Sequence, residues 1–236
     1  MALIDANPFA DVNVLQFAAE ELSKVIGLDY PGRIFLAGGA FKTLLHGIAP
    51  RDLDIWAPSA HDREQLVAWL RSRALAPPRR SRFADIFRVA DRDVEVPDQT
   101  DQACLENLLA RFDLGLSAIG VELDRGKLRC VVNPLARESI RCEEILLLKP
   151  LVNWRHCLGT LARARRYACE LHFEFPKSEE AVIWEMFDSQ DVEMQRGMLE
   201  RYKATPLCGW NVLEDVTHRL RCAADERLQY FNFLNV

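Results

Sequence analysis

Apolar residues at positions 15, 18, 19, 22, 25 and 26 recur with helical spacing and predict an amphipathic helix from Val12 to Ile26. Pro31-Gly32 breaks that pattern, and Ile34-Phe-Leu-Ala37 follows as a short buried strand. Gly38-Gly39 ends the strand and opens a helical stretch, Ala40 to His46, closed by Gly47 and Pro50. Leu53-Asp54-Ile55-Trp56 alternates as a strand, and a helix follows from about Ala60 to Leu75. Pro77-Pro78-Arg79-Arg80 predicts a loop. Phe83 to Val89 and Val94 to Val96 predict strands around a turn at Ala90–Asp93. A helix is expected over Thr100–Ala110, then a hairpin of Leu114–Leu123 and Lys127–Val132 around Asp124-Arg125-Gly126. Beyond Asn133-Pro134 the strand signals stop. Leu151–Phe173, Ser178–Ser189, Val192–Tyr202 and Asn211–Phe231 all carry helical patterns.

This order predicts an α+β fold: a small mixed sheet flanked by helices over 1–150, then a helical neck or cap over 151–236. A chain of 236 residues, 49% hydrophobic and 28% charged, has ample material for a core, and its composition excludes collagen, coiled coil and wholesale disorder. The net charge of -5 means that any nucleic-acid contact must come from a local patch. Met1 to Pro8 lacks a basic segment followed by an apolar run, and the longest apolar run is Ile145–Leu148, so neither a signal peptide nor a membrane span is expected. Seven cysteines, none in a C-x-x-C pair, read as reduced thiols of a cytoplasmic protein.

The candidate chemistry lies between the first two strands. Residues two apart on a strand share a face, so Asp52 and Asp54 project together while Leu53 and Ile55 turn into the core. Two adjacent carboxylates repel unless a cation sits between them, and Mg²⁺ shared with substrate phosphates is the natural partner. Gly38 and Gly39 let backbone approach a ligand closely. Carboxylates beside a phosphate cradle point to phosphoryl or nucleotidyl transfer, although either motif alone is more often a tight turn or an exposed strand edge.

The stretch Leu36-Ala-Gly-Gly-Ala-Phe-Lys-Thr-Leu-Leu-His-Gly-Ile-Ala-Pro-Arg-Asp-Leu-Asp-Ile-Trp56 resembles the signature of the DNA polymerase β-type nucleotidyltransferase superfamily. More narrowly, it resembles the bacterial CCA-adding enzyme and poly(A) polymerase branch. Leu108 to Ala118 is similar to that branch's Arg-Arg-Asp-Phe-Thr-Ile-Asn-Ala segment, and Leu161 to Phe173 to its Arg-rich neck helix. The resemblance implies an enzyme that moves an NMP from an NTP to an acceptor hydroxyl, an RNA (tRNA) 3′ end being favoured, with release of pyrophosphate. It further implies that Asp52 and Asp54 hold two Mg²⁺ ions and that Gly38, Gly39 and Lys42 lie at the triphosphate. Glu95 would complete the acidic cluster, with Asp93 as its rival in the predicted turn. Arg111 and Asp113 would line the nucleotide pocket, and Arg163 and Arg166 would face the nucleotide from the neck.

Several positions depart from the branch pattern: Thr43 replaces an aspartate, Phe112 an arginine, Leu114 a phenylalanine and Ser117 an asparagine. No counterpart of its base-selecting Glu-Asp-x-x-Arg template is evident near Trp154-Arg155. Arg155, His156, Arg163, Arg165 and Arg166 form the best local basic patch, with Trp154 and Tyr167 as aromatics that could stack on a base. Two further readings stay open: an inactive nucleotide- or RNA-binding module, and a toxin or defence nucleotidyltransferase with another acceptor. Which NTP is used and what the oligomeric state is do not follow from these residues.

Overall fold

A computed structural model describes residues 7–204 and 212–221. The chain divides into two compact units, Met1–Val152 and Asn153–Val236. The first is built on seven strands: β1 (Arg33–Ala37), β2 (Asp52–Trp56), β3 (Arg79–Arg80), β4 (Ala84–Val89), β5 (Arg92–Pro97), β6 (Ile119–Asp124) and β7 (Lys127–Val132). They form one mixed sheet in the order β3-β4-β5-β2-β1-β6-β7, in which β2 and β5 run parallel and every other pair antiparallel. The hairpin between β6 and β7 turns at Arg125 and Gly126, both at positive φ (48° and 79°), the geometry that matches the sheet's twist.

Helix α1 (Asp11–Val25) buries Val14, Phe17, Ala18, Glu21, Leu22 and Val25. Of the six positions the apolar spacing marks, Ala18, Leu22, Val25 and Ile26 are buried, and the inward face widens to take in Val14, Phe17 and Glu21. It takes a glutamate inside: Glu21 is 4% exposed and meets Arg92 of β5 at 2.8 Å and Lys24 at 2.6 Å. Burial opposes that charge, yet the bonds from Arg92 and Lys24 outweigh it and hold the Glu21 carboxyl below its usual range. Helix α3 (Ala60–Arg71) covers β4 and starts at Ser59, whose Oγ accepts the Asp62 amide at 3.1 Å. Ser59→Ala removes this cap and is expected to cost about 1 kcal/mol, read as a lower urea midpoint.

Several elements differ from the sequence expectation, among them the strand expected over Leu114–Leu123, which starts only at Ile119 after a 3₁₀ turn at Gly115–Ser117. Arg79-Arg80 is not a loop but the edge strand β3, with Arg79 opposite Ile86. The helix expected over Thr100–Ala110 shrinks to α4 (Leu105–Leu109), because Asp101 accepts side-chain bonds from Gln99, Gln102 and Arg111 and diverts the chain ahead of it. Pro134–Cys142 forms a helix, α5, that the strand-to-helix pattern leaves out; Asn133 caps it and Pro134 opens it. Helix α4 packs Leu105, Leu108 and Leu109 on Phe35, Ala37 and Ala118, with Trp56 and Phe112 at the rim of this cluster.

The second unit opens with a turn at Trp154–His156 and continues as α6 (Cys157–Leu171), α7 (Lys177–Asp188) and α8 (Val192–Lys203); residues 212–221 are also helical. Leu158, Leu161, Ile183, Phe187, Met198, Val212 and Val216 form its interior. The helix expected over Leu151–Phe173 starts only at Cys157 and stops where His172 adopts a left-handed conformation (φ 57°). Of the pattern over Asn211–Phe231, the part beyond 221 lies outside the described residues, as do Cys208 and Cys222. No helix among the described residues is long and apolar enough to cross a membrane.

Candidate active site

Alternation along β2 buries Leu53 and Ile55 completely and leaves Asp52, Asp54 and Trp56 half-buried on the other face. The same alternation on β5 buries Val94 and Val96 and turns Asp93 and Glu95 outward. Parallel pairing sets Asp52 opposite Asp93 and Asp54 opposite Glu95. Four carboxyl groups thus share one sheet face on two adjacent strands. Asp93 sits in β5 and not in a turn, which corrects the expectation for that residue: the turn is confined to Ala90 and Asp91.

The backbone after β1 closes on this face. Gly38 has φ 104° and ψ −145°, a conformation essentially reserved for glycine. A Cβ built on it would stand 3.3 Å from Asp54 Oδ2 and 3.9 Å from the Phe112 ring. The chain then runs through a 3₁₀ turn, Gly39–Lys42, into the short helix α2 (Thr43–His46). Gly38, Gly39 and Lys42 therefore follow one another beside β2. The Phe112 ring also lies 6.1 Å from that of Trp56, so an aromatic pair borders the glycine and Asp54. Sequence reasoning missed this pair; the residue two positions beyond Asp54 on the same strand face was the signal.

Charges on the face are partly compensated. Arg51 binds Asp52 Oδ2 through Nε at 3.0 Å and Nη2 at 2.7 Å, and Asp93 receives Arg79 at 2.8 Å and Arg88 at 3.2 Å. Burial lifts the Glu95 carboxyl above the ordinary glutamate value; Asp52 and Asp93 add to the lift, and Arg51 and Arg79 oppose it. A carboxyl with a raised folded-state pKa binds more protons folded than unfolded. Its charge therefore costs stability progressively as pH rises from the ordinary value through the raised one. Glu95→Gln is expected to flatten that part of the profile and to raise Tm at neutral pH in EDTA. Thermal melts across the acidic-to-neutral range check this, and a Tm below wild type at neutral pH contradicts it.

Of the other expected site residues, Arg111 and Asp113 flank Phe112 in the first unit, and Arg163 and Arg166 lie in the second. Arg111 is tied to Asp101 at 3.1 Å, and the Asp113 carbonyl accepts the Leu148 amide at 2.8 Å. Arg163 and Arg166 belong to α6 of the second unit, where Arg166 faces Glu170 at 3.6 Å. Of the expected basic patch there, Arg165 is held by Glu180 (2.5 Å) and Asp215 (2.7 Å), and Tyr167 is 3% exposed, which removes it as a stacking platform. An open cavity of about 390 Å³ in this unit is lined by Lys177, Glu180, Trp184, Glu185, Asp188 and Arg219, three acids against two bases, with Arg219 meeting Asp188 at 2.5 Å. The carboxylates that could serve chemistry gather instead on the sheet face of the first unit.

No family model matches this sequence, and no curated protein does. Solved structures do match in fold. A CCA-adding enzyme in complex with CTP aligns over 89% of this chain and 52% of its own, at 16% identity and a TM-score of 0.59. A CCA-adding enzyme complex with ATP aligns over 83% and 52%, at 16% identity and a TM-score of 0.56. A tRNA nucleotidyltransferase complexed with a primer tRNA and an incoming ATP analog aligns over 89% and 60%, at 16% identity and a TM-score of 0.51. The chain shares the fold of these proteins. It spans between half and three fifths of their length.

Proposed function

We propose that this protein is a metal-dependent nucleotidyltransferase that moves an NMP from an NTP to an acceptor hydroxyl, most naturally an RNA 3′ end. The observation that carries this reading is the register of β2 and β5, which sets Asp52, Asp54 and Glu95 on one face with the Gly38 backbone against Asp54. CTP, ATP and tRNA in the named complexes of proteins with this fold support the substrate class.

The donor set fits Mg²⁺. Paired carboxylates with room for substrate oxygens suit a hard cation that keeps part of its shell for phosphate. Among the described residues no three Asp, Glu, His or Cys side chains converge as a ready-made metal site, so the fit is to an ion completed by the nucleotide's own phosphates. Asp52 and Asp54 would hold it, and when bound it supplies charge neutralisation at the α-phosphate and the leaving pyrophosphate. Arg51 must release Asp52 for this to happen. Gly38 and Gly39 bring backbone close to the triphosphate, with Lys42 at the end of the same turn. Glu95, whose carboxyl is already biased towards holding a proton, takes the proton of the attacking hydroxyl as its oxygen bonds to the α-phosphorus and pyrophosphate departs. Arg111 and Asp113 would line the sugar and phosphate side of the nucleotide.

Transfer of label from each of the four α-³²P NTPs, with cellular RNA and protein as acceptors and Mg²⁺ present, tests the reading. Label on RNA that disappears in Asp52→Ala/Asp54→Ala supports it. Label on protein keeps the chemistry and replaces the acceptor. No transfer, with nucleotide binding intact in the variant, reduces the molecule to a binding module.

A further inference from the structure

The outer edge of the same sheet carries charge of the opposite sign. Sheet register aligns Arg79, Ile86, Glu95 and Asp54 at one level across β3, β4, β5 and β2, and Arg88, Asp93 and Asp52 at another. Arg79 and Arg88 therefore stand on the carboxylate face, and both end on Asp93 with side chains 67% and 48% exposed. Between β3 and β4 the exposed Arg82 lies over the Phe83 ring at 5.1 Å, and Phe83 is itself 58% exposed. Gly38 lies on the other side of β2, at the end of β1. Across one face the order is glycine backbone, paired aspartates, Glu95 with Asp93, and then arginines.

We infer that the β3–β4 edge binds the phosphodiester backbone of a single-stranded RNA through Arg79, Arg82 and Arg88, so that its 3′ end reaches Glu95 and the aspartates from this side. The direction of approach rests on the nucleotidyl-transfer reading; the binding itself does not. Guanidinium forks match phosphate oxygens two at a time. The exposed pairs to Asp93 that now occupy Arg79 and Arg88 are of the weak kind that exchanges for another anion. Phe83 with Arg82 offers a flat surface on which any base can stack. Because the whole molecule is negative, binding must be local and strongly dependent on salt. The second unit, by contrast, neutralises Arg165 internally.

The test is fluorescence anisotropy of 5′-labelled single-stranded RNA oligonucleotides with the full chain at several salt concentrations. Arg79→Gln/Arg82→Gln/Arg88→Gln is expected to weaken binding at least tenfold and to flatten the salt slope by about 0.7 for each phosphate no longer neutralised. The corresponding triple lysine variant keeps the charge and is expected to restore most of the binding, which separates missing charge from misfolding. ATP and CTP affinity is expected to stay at the wild-type value in both. Absence of RNA binding by the wild-type protein, or equal binding by the glutamine variant, overturns the inference. So does a loss of NTP affinity in its place, which would hand the arginines to the triphosphate. Label transfer separates this from the broader reading. Edge-dependent RNA binding without transfer sinks nucleotidyl transfer and keeps the edge. Transfer to RNA with an unchanged acceptor KM in the glutamine variant keeps transfer and sinks the edge.

Discussion

Asp54→Ala is expected to abolish nucleotide incorporation, to about one thousandth of wild type or less, while the protein stays folded. A metal-held charge contributes several kcal/mol to stabilising phosphoryl charge in the transition state, and each 1.4 kcal/mol is tenfold in rate, so loss of the carboxylate costs about three orders of magnitude. Asp52→Ala is expected to act equally. Neither side chain is completely buried, and Asp52 pairs with an exposed neighbour, Arg51, so the fold depends little on them. Loss of Asp52 also relieves repulsion on Glu95, since Asp52 helps lift that carboxyl. Inactivity without a lower Tm is therefore the signature of a catalytic role. A structural role predicts the reverse: Tm falls and activity per folded molecule persists. Label transfer and thermal melts on the same preparations decide between them, and full activity of either variant removes the aspartates from the mechanism.

Gly38→Ala is expected to damage both stability and activity, and for separable reasons. At φ 104° and ψ −145° any other residue is strained, at a cost of about 1–3 kcal/mol. In a domain of this size that lowers Tm by about 2–4 °C per kcal/mol. The new methyl would also stand 3.3 Å from Asp54 Oδ2, so the carboxylate must give way. Misplacement of a reacting group by about 1 Å can cost a hundredfold in rate. Gly47→Ala is the matched control. Gly47 also has a positive φ, 70°, but nothing lies within 4 Å of its added Cβ. It is expected to lose about 1 kcal/mol of stability and keep its rate. If Gly38→Ala loses no more activity than Gly47→Ala, the glycine serves the backbone turn and not the site.

Much of the site was legible because the relevant rules are local. Period-two alternation is a property of five consecutive residues, and it put Asp52 and Asp54 on one side of β2 with Leu53 and Ile55 on the other. The break at Gly38-Gly39 and the hairpin at Asp124–Gly126 were legible for the same reason: left-handed backbone favours glycine wherever it occurs. Helix α5 was missed: Asn133 as cap and Pro134 behind it mark its start, but only Ala136 and Ser139 are buried along it, too little for an apolar stripe to show. β3 was missed as well. Two arginines carry no strand pattern of their own, and only the unpaired edge of β4 makes them a strand.

The sequence by itself determined most of the order of elements, β3 and α5 excepted, and the pairing of Asp52 with Asp54, since both depend on neighbours along the chain. It did not determine which acids join them. Glu95 faces Asp54 and Asp93 faces Asp52 only through the parallel register of β2 and β5, strands separated by α3, β3 and β4. A one-residue slip in that register would have turned both acids to the opposite face. What holds it is the burial of Val94 and Val96 beside Leu53 and Ile55, a property of the packed sheet. The tertiary structure likewise decided that the arginines of β3 and β4 lie on the carboxylate face and that Arg165 of the second unit is spent on internal ion pairs. Each charge was visible in the chain; its partner was set by distant backbone, because hydrogen-bonded strands, not sequence neighbours, bring these side chains within reach of one another.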